Sequence, residues 1–293
     1  MKALANYKEM LKYAHENKFT IGGFNTFNLE TARAMVDAAE KMETPIIVQS
    51  YHNDLDLPTT WGIAAVVNAF AEKSSQPVAL GLDHGENYEQ AKLCIESGFS
   101  GVMIDLSTND YDTNVREVRR VVELARKYDV SVEAELGTIC TGDVRPEDMV
   151  DGFTDPQMAR QFVLDTGVDC LAVSIGTAHG AYFHECRIDF DRLGELLEVV
   201  PCPIVVHGGS GTPDEDILKM VKMGISKLNV GTDFMNAYNK ALLGTMLEKN
   251  AGTIEGWGKT FVHPLVGATA AYKAVYETAL EKLSLLTRYR TDK

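Results

Sequence analysis

Eight short, β-rich runs recur along the chain at an average interval of about 29 residues, and no other feature constrains the fold as much. They lie near Ile21–Phe24, Pro45–Gln49, Val78–Leu82, Gly101–Asp105, Ser131–Leu136, Cys170–Ile175, Pro203–Val206 and Lys227–Val230. Several are continuously apolar instead of alternating, as parallel strands buried on both faces are. The segments between them carry helix signals. In 112–126, Val115, Val118, Val122 and Ala125 share one face opposite the charges. In 212–224, Thr212 suits the cap, Pro213 the first helical position, Asp214, Glu215 and Asp216 the positive end, and Gly224 the stop. Asp155-Pro156 opens another helix that Gly167 ends, and a long helix follows Pro264. Length agrees: 293 residues accommodate a barrel of ~250 residues with modest additions. No linker divides the chain. An open doubly wound sheet normally carries a glycine-rich phosphate fingerprint after an early strand, and Gly22-Gly23-Phe24-Asn25 is not one. The expectation is a single domain over 1–293, a closed (β/α)8 barrel (TIM barrel) with an extra C-terminal helix.

Composition narrows the partners. A net charge of −14 repels nucleic acid and anionic membrane surfaces. An anionic substrate then needs local donors. No run is long and apolar enough to span a bilayer, and the polar start MKALANYKEMLKYAHENK does not read as a signal peptide. Cys94, Cys140, Cys170, Cys186 and Cys202 form no C-x-x-C pair, and their odd number suits reduced thiols in a cytoplasmic protein.

Three of the seven histidines share a setting. His84 (VALGLDHGE), His179 (LAVSIGTAHGAY) and His207 (PIVVHGGSG) each follow a strand and precede a glycine. A barrel gathers the C-terminal ends of its strands on one face, so these distant positions converge. Their separations exclude a locally clustered zinc finger. Three imidazoles with an open fourth position make a catalytic zinc site, and the plainer alternative is three loop histidines at a barrel mouth. Asp83, beside His84, is a candidate acid/base or a helix cap. Asp105 and Glu135 also end strands. They could accept from ligand histidines, form a weaker metal position, or make a structural ion pair. Glu133 should project to the same side as Glu135.

Two further segments suit phosphate. Gly208-Gly209-Ser210-Gly211-Thr212 follows the seventh run, and Asn229-Val230-Gly231-Thr232 ends the eighth. Many barrels bind phosphate there through backbone N–H groups and a helix N-terminus.

LDHG, MID-S, SVEAELGT, GTAHG-Y, HGGSG and LNVGT stand in the order and approximate spacing of the class II, zinc-dependent ketose-bisphosphate aldolases, which this sequence resembles from about Gly22 to Ala241. IGTAHGAY…IDFDRL is closest to the tagatose-bisphosphate branch. The resemblance implies a TIM barrel, homodimeric or homotetrameric, that reversibly cleaves a phosphorylated ketose to dihydroxyacetone phosphate and an aldehyde. It implies zinc on His84, His179 and His207, with Asp83 as acid/base at the C4 hydroxyl. It places an accessory metal position at Asp105 and Glu135. Gly180, Gly208, Ser210, Asn229 and Thr232 match the segments that hold the dihydroxyacetone phosphate half, where a monovalent cation (Na+ or K+) often assists. Zinc also fits the chemistry, since it stabilises an enediolate without a Schiff-base lysine.

Four departures stand out. The histidine usual two residues before the catalytic Asp is Gly81. The SH-x-P-x-x-EN segment is replaced by 107–114, which lacks its His and Glu. The mobile GG-x-ED loop reads Ile139-Cys140-Thr141-Gly142-Asp143, which leaves Asp143 as the proton carrier, with Glu147 and Asp148 as rivals. The D-P-R motif that grips the distal phosphate is absent. Lys259 and His263 are the nearest candidates there, and lysine does not replace a bidentate arginine. The expected substrates are therefore fructose or tagatose 1,6-bisphosphate or a C6-modified analogue such as 6-sulfofructose 1-phosphate. A zinc hydrolase on the same barrel and a non-catalytic phosphosugar-binding barrel are the other readings.

Overall fold

Parallel strands close on one another in chain order: β1 (Ile21–Asn25), β2 (Ile46–Tyr51), β3 (Val78–Gly85), β4 (Gly101–Ile104), β5 (Ser131–Leu136), β6 (Cys170–Val173), β7 (Ile204–Val206) and β8 (Lys227–Val230). Pairing of Ile21 with Lys227 through Phe24 with Val230 joins the last strand to the first. This is the (β/α)8 barrel that the period of the sequence predicts. The computed structural model describes residues 4–249 and 262–292.

The helices are α1 (Tyr7–Glu16), α2 (Leu29–Lys41), α3 (Leu57–Ala71), α4 (Tyr88–Glu96), α5 (Tyr111–Tyr128), α6 (Pro146–Met149), α7 (Pro156–Thr166), α8 (Phe190–Val199), α9 (Asp214–Met223), α10 (Thr232–Lys249) and α11 (Pro264–Leu286). Most start at an Asn or Asp whose side chain accepts an N–H of the first turn, as Asn28, Asn87, Asp110 and Asp155 do. Helix α9 differs from expectation. Pro213 is its cap, and the Thr212 hydroxyl donates to the Gly208 carbonyl at 2.8 Å instead of capping the helix. The other signals hold, with three acidic residues in the first turn and Gly224 at φ +110° after the last.

Two apolar layers result. One lies between the strands and the surrounding helices, where Leu80, Val102, Leu171, Ile204 and Leu228 pack. The other closes the barrel floor: Tyr7, Met10, Leu11 and Ala14 of α1 pack against Ile47, Ala79, Met103 and Val205. The long C-terminal helix α11 lies against α2 and α10, outside the barrel count as expected. All five cysteines are free thiols. Among the described residues no helix is long and apolar enough to cross a membrane.

Candidate active site

Strand β3 runs three residues beyond its expected end, so Asp83 and His84 belong to it. Consecutive residues of a regular strand point to opposite faces. Here the register shifts between Leu82 and Gly85, and His84 takes φ +52°. This bulge overrides the alternation, and both side chains line one cavity of about 470 Å³ at the barrel mouth. Left-handed backbone at a non-glycine residue is strained, and such strain persists where the surroundings fix it.

The other two histidines arrive from β6 and β7. His179 is held by its neighbours' backbones: its N–H donates to Cys140, and its carbonyl accepts from Gly142, both at 2.9 Å. His207 follows β7 directly. The loops carrying them are joined by Tyr182, whose hydroxyl accepts from the Ala178 N–H at 2.8 Å and donates to the Gly208 carbonyl at 3.2 Å. Gly208 sits at φ +73°, and a Cβ there would lie 2.4 Å from the Ala178 carbonyl oxygen, so the close approach of the two loops requires glycine.

Each of the three imidazoles places one nitrogen so that all three lie within 4.8 Å of one another. His84 Nε2 and His207 Nδ1 are 2.9 Å apart. Their opposite nitrogens face carboxylates: His84 Nδ1 to Asp105 Oδ2 at 2.8 Å, and His207 Nε2 to Glu133 Oε1 at 2.9 Å. Carboxylates behind ligand histidines fix ring orientation and raise basicity, so this donor set fits a zinc-type cation. His84, Asp105 and Glu135 form a second such group.

Charge in the site is dense. Burial opposes the charged form of His84, but Asp83, Asp105 and Glu135 raise its pKa to about 9. Burial and the neighbouring charges of His84 and His207 lower His179 to about 3. Burial and the Asp105 carboxylate raise Glu135 to about 8. Burial also opposes ionisation of Asp83, but His84, His207 and Lys227 outweigh it and hold its pKa below the usual carboxylate range. Two amides hold Asp83: Asn25 Nδ2 donates to Oδ2 at 2.6 Å and Asn229 Nδ2 to Oδ1 at 3.0 Å. Gln49 in turn donates to Asn25 Oδ1 at 3.1 Å.

Of the sequence-predicted binding residues, Gly180, Gly208, Ser210, Asn229, Gly231 and Thr232 line the cavity. Ser210 Oγ accepts from the N–H groups of Gly231 (3.2 Å) and Asp233 (3.0 Å), which leaves its proton to donate. Gly209 and Val230 do not line it. The Gly209 N–H is spent on the Asn229 carbonyl at 2.9 Å, and Val230 is packed in the core. Asp143 is exposed on the loop after β5, two residues beyond the cavity-lining Thr141. Its rivals Glu147 and Asp148 pair with Arg145 at 3.3 and 2.9 Å. Lys259 lies outside the described residues, and His263 caps α11.

The family model for class II fructose-bisphosphate aldolases matches residues 5–289. The chain belongs to that family. This class II aldolase is therefore a lyase that cleaves a phosphorylated ketose, in a family that depends on zinc. It is similar to the YdjI aldolase of Escherichia coli K12, with 29% identity, TM-score 0.81 and 97% of each chain covered. It also shares the fold of the Campylobacter jejuni fructose-bisphosphate aldolase, with 20% identity, TM-score 0.81, and 99% of this chain and 97% of that one covered.

Gly81, where the resemblance leads one to expect histidine, has a steric reason. A Cβ at Gly81 would lie 1.7 Å from Tyr7 Oη, so the α1 tyrosine already fills that space. The sequence reading missed Tyr7, Asn25, His52, Glu86 and Lys227. Asn25 and Lys227 had a signal, since each is a polar residue at the end of a short, wholly buried strand (IGGFN, KLNV). Helix α1 gave no sign that Tyr7 enters the barrel.

Proposed function

We propose that the chain catalyses reversible aldol cleavage of a ketose phosphorylated at C1, with His84, His179 and His207 holding zinc and Asp83 moving the C4 hydroxyl proton. The carrying observation is three imidazole nitrogens within 4.8 Å of one another beside an amide-clamped carboxylate, in a cavity that also holds the Ser210 and Thr232 loops. When bound, zinc supplies Lewis-acid stabilisation of the charge that grows on the ketone side as the C3–C4 bond breaks.

The protein's own groups do the rest. Asp83 accepts the C4 hydroxyl proton, and that oxygen becomes the aldehyde carbonyl. The C3–C4 electron pair stays with C3, which then takes up a proton to give dihydroxyacetone phosphate. Asp143, from the loop that brings Thr141 to the cavity, carries that proton, since its rivals are tied to Arg145. Ser210, Gly208, Gly180 and the start of α10 at Thr232 receive the C1 phosphate through hydroxyl and backbone donors. Asp105 orients His84 and, with Glu135, offers the accessory metal position.

The test is release of dihydroxyacetone phosphate from fructose and tagatose 1-phosphates, their 1,6-bisphosphates and 6-sulfofructose 1-phosphate, before and after chelation. Release that stops on chelation and returns with zinc is expected. Cleavage that survives complete metal removal, or no release from the whole panel, refutes the proposal.

A further inference from the structure

Opposite the phosphate loops of β7 and β8, the cavity wall is formed by the ends of β2, β3 and β4. A ketose anchored at β7–β8 by its C1 phosphate and cleaved beside His84 points its far carbons at that wall. The groups waiting there are Tyr51, His52, Glu86, Ser107 and Thr108. Among the described residues, no lysine or arginine lines the cavity, whereas Asp83, Glu86, Asp105 and Glu135 all do.

This wall is held in place. Gln90 of α4 accepts from the Glu86 N–H at 3.0 Å and donates to the His52 carbonyl at 2.9 Å, so one side chain fixes both strand ends. His52 is 9% exposed, and its Nδ1 makes no hydrogen bond among the described residues, although Glu86 Oε1 is 3.4 Å away. A buried polar atom without a partner is costly, and a ligand hydroxyl would satisfy it. Burial also lowers the His52 pKa, which favours the neutral ring with its one donor and one acceptor nitrogen. A hydroxyl matches that pair. A phosphate or sulfonate would face the Glu86 carboxylate instead, with no cation described to offset it.

Resting on the aldolase reading above, we infer that the far end of the substrate is an uncharged polyhydroxyl chain, whose hydroxyls are bound by His52 and Glu86, so that the aldehyde product is a neutral hydroxyaldehyde and not a phosphorylated or sulfonated one. His52 and Glu86 are then specificity-determining residues. The C1 phosphate remains the single anionic group recognised.

The experiment runs the zinc-loaded full chain in the condensing direction. Dihydroxyacetone phosphate is offered D-glyceraldehyde, D-erythrose, D-threose, D-glyceraldehyde 3-phosphate or 3-sulfolactaldehyde. In parallel, exchange of the C3 proton of dihydroxyacetone phosphate with D2O is followed without any aldehyde. The best neutral aldehyde should exceed both anionic ones in kcat/KM by about 10-fold or more. Glu86→Gln, which keeps a hydrogen-bonding group but removes the charge, should move that ratio toward the anionic aldehydes by about 10-fold, mainly in KM. His52→Leu should lose neutral-aldehyde use, and His52→Asn should restore part of it. Each variant is read relative to its own exchange rate, which reports a folded, metal-loaded site. Preference of the parent protein for an anionic aldehyde overturns the inference. An unchanged ratio in both Glu86→Gln and His52→Leu overturns the assignment to these residues. Exchange and condensation both absent would defeat the aldolase reading itself, and this inference with it.

Discussion

Glu133 Oε1 lies 2.9 Å from His207 Nε2, and neither side chain reaches solvent. The other carboxylate oxygen takes Lys227 Nζ at 2.7 Å, so one buried anion serves a histidine above and an ammonium below. Glu133→Gln removes the anion from both. Breaking a buried pair costs about 3–5 kcal/mol, because the remaining charge stays uncompensated. Zinc affinity should fall roughly 10- to 100-fold with the weakened orientation of His207. Adding Lys227→Met should return much of the lost stability and none of the lost affinity. Denaturant melts and chelator competition on the single and double variants check both parts. Equal zinc affinity in Glu133→Gln would show that the carboxylate has no part in presenting His207.

Asp83 is expected to matter for turnover far more than for the metal. Its carboxylate is clamped by Asn25 and Asn229, and its pKa is held low, so it begins the cleavage direction as a proton acceptor. Asp83→Ala should reduce kcat by about 10²- to 10⁴-fold, the usual worth of a positioned acid/base. Zinc content per chain should stay near the parent value, since the three imidazoles remain. Turnover within a few-fold of the parent would remove Asp83 from its proposed role.

The barrel was legible because parallel strands buried on both faces read as short apolar runs, and all eight observed strands overlap the expected ones. Strand β3 shows where legibility ends. Asp83, His84 and Gly85 interrupt the apolar pattern, so the sequence predicts a strand that stops at Leu82. A bulge with His84 at φ +52° then extends it and turns two adjacent side chains into one cavity. Backbone of that kind leaves no mark in residue spacing. The three histidines were found because each pairs a strand end with a following glycine. In sequence Lys227 reads as an ordinary strand residue, because burial of a lysine depends on Glu133 of β5, a partner three strands away in the barrel. Gly209, after β7, and Val230, the last residue of β8, stand beside cavity-lining residues in sequence, but their orientation follows from bonds and packing that only the closed barrel creates.

Gly81 and Tyr7 form a complementary pair, and changing one should demand a change in the other. An alanine Cβ at position 81 would lie 1.7 Å from Tyr7 Oη and 2.8 Å from its Cζ. Gly81→Ala should therefore destabilise the protein by about 1–3 kcal/mol, the usual cost of overpacking a filled core. Gly81→Ala combined with Tyr7→Leu should be more stable than the sum of the two single changes, since the clash is gone. Thermal melts of the full cycle measure this coupling. Strict additivity would mean that Tyr7 does not fill the space at Gly81.

Metal removal should be visible in stability as well as in activity. Asp83, Asp105, Glu133 and Glu135 surround the histidine cluster, and bound zinc would offset the repulsion among those carboxylates that are ionised. A ligand at 100 times its Kd stabilises the folded state by about 2.7 kcal/mol. For a domain of this size each kcal/mol moves Tm by roughly 2–4 °C, so zinc at that excess should raise Tm by roughly 5–10 °C over the chelated protein. Magnesium, which prefers six oxygen ligands, should raise it much less at equal concentration. His179→Ala should shrink the zinc-dependent rise, since it removes a nitrogen ligand without touching the carboxylates. A Tm that ignores zinc, with His179→Ala indistinguishable from the parent in the same titration, would count against a metal centre on His84, His179 and His207.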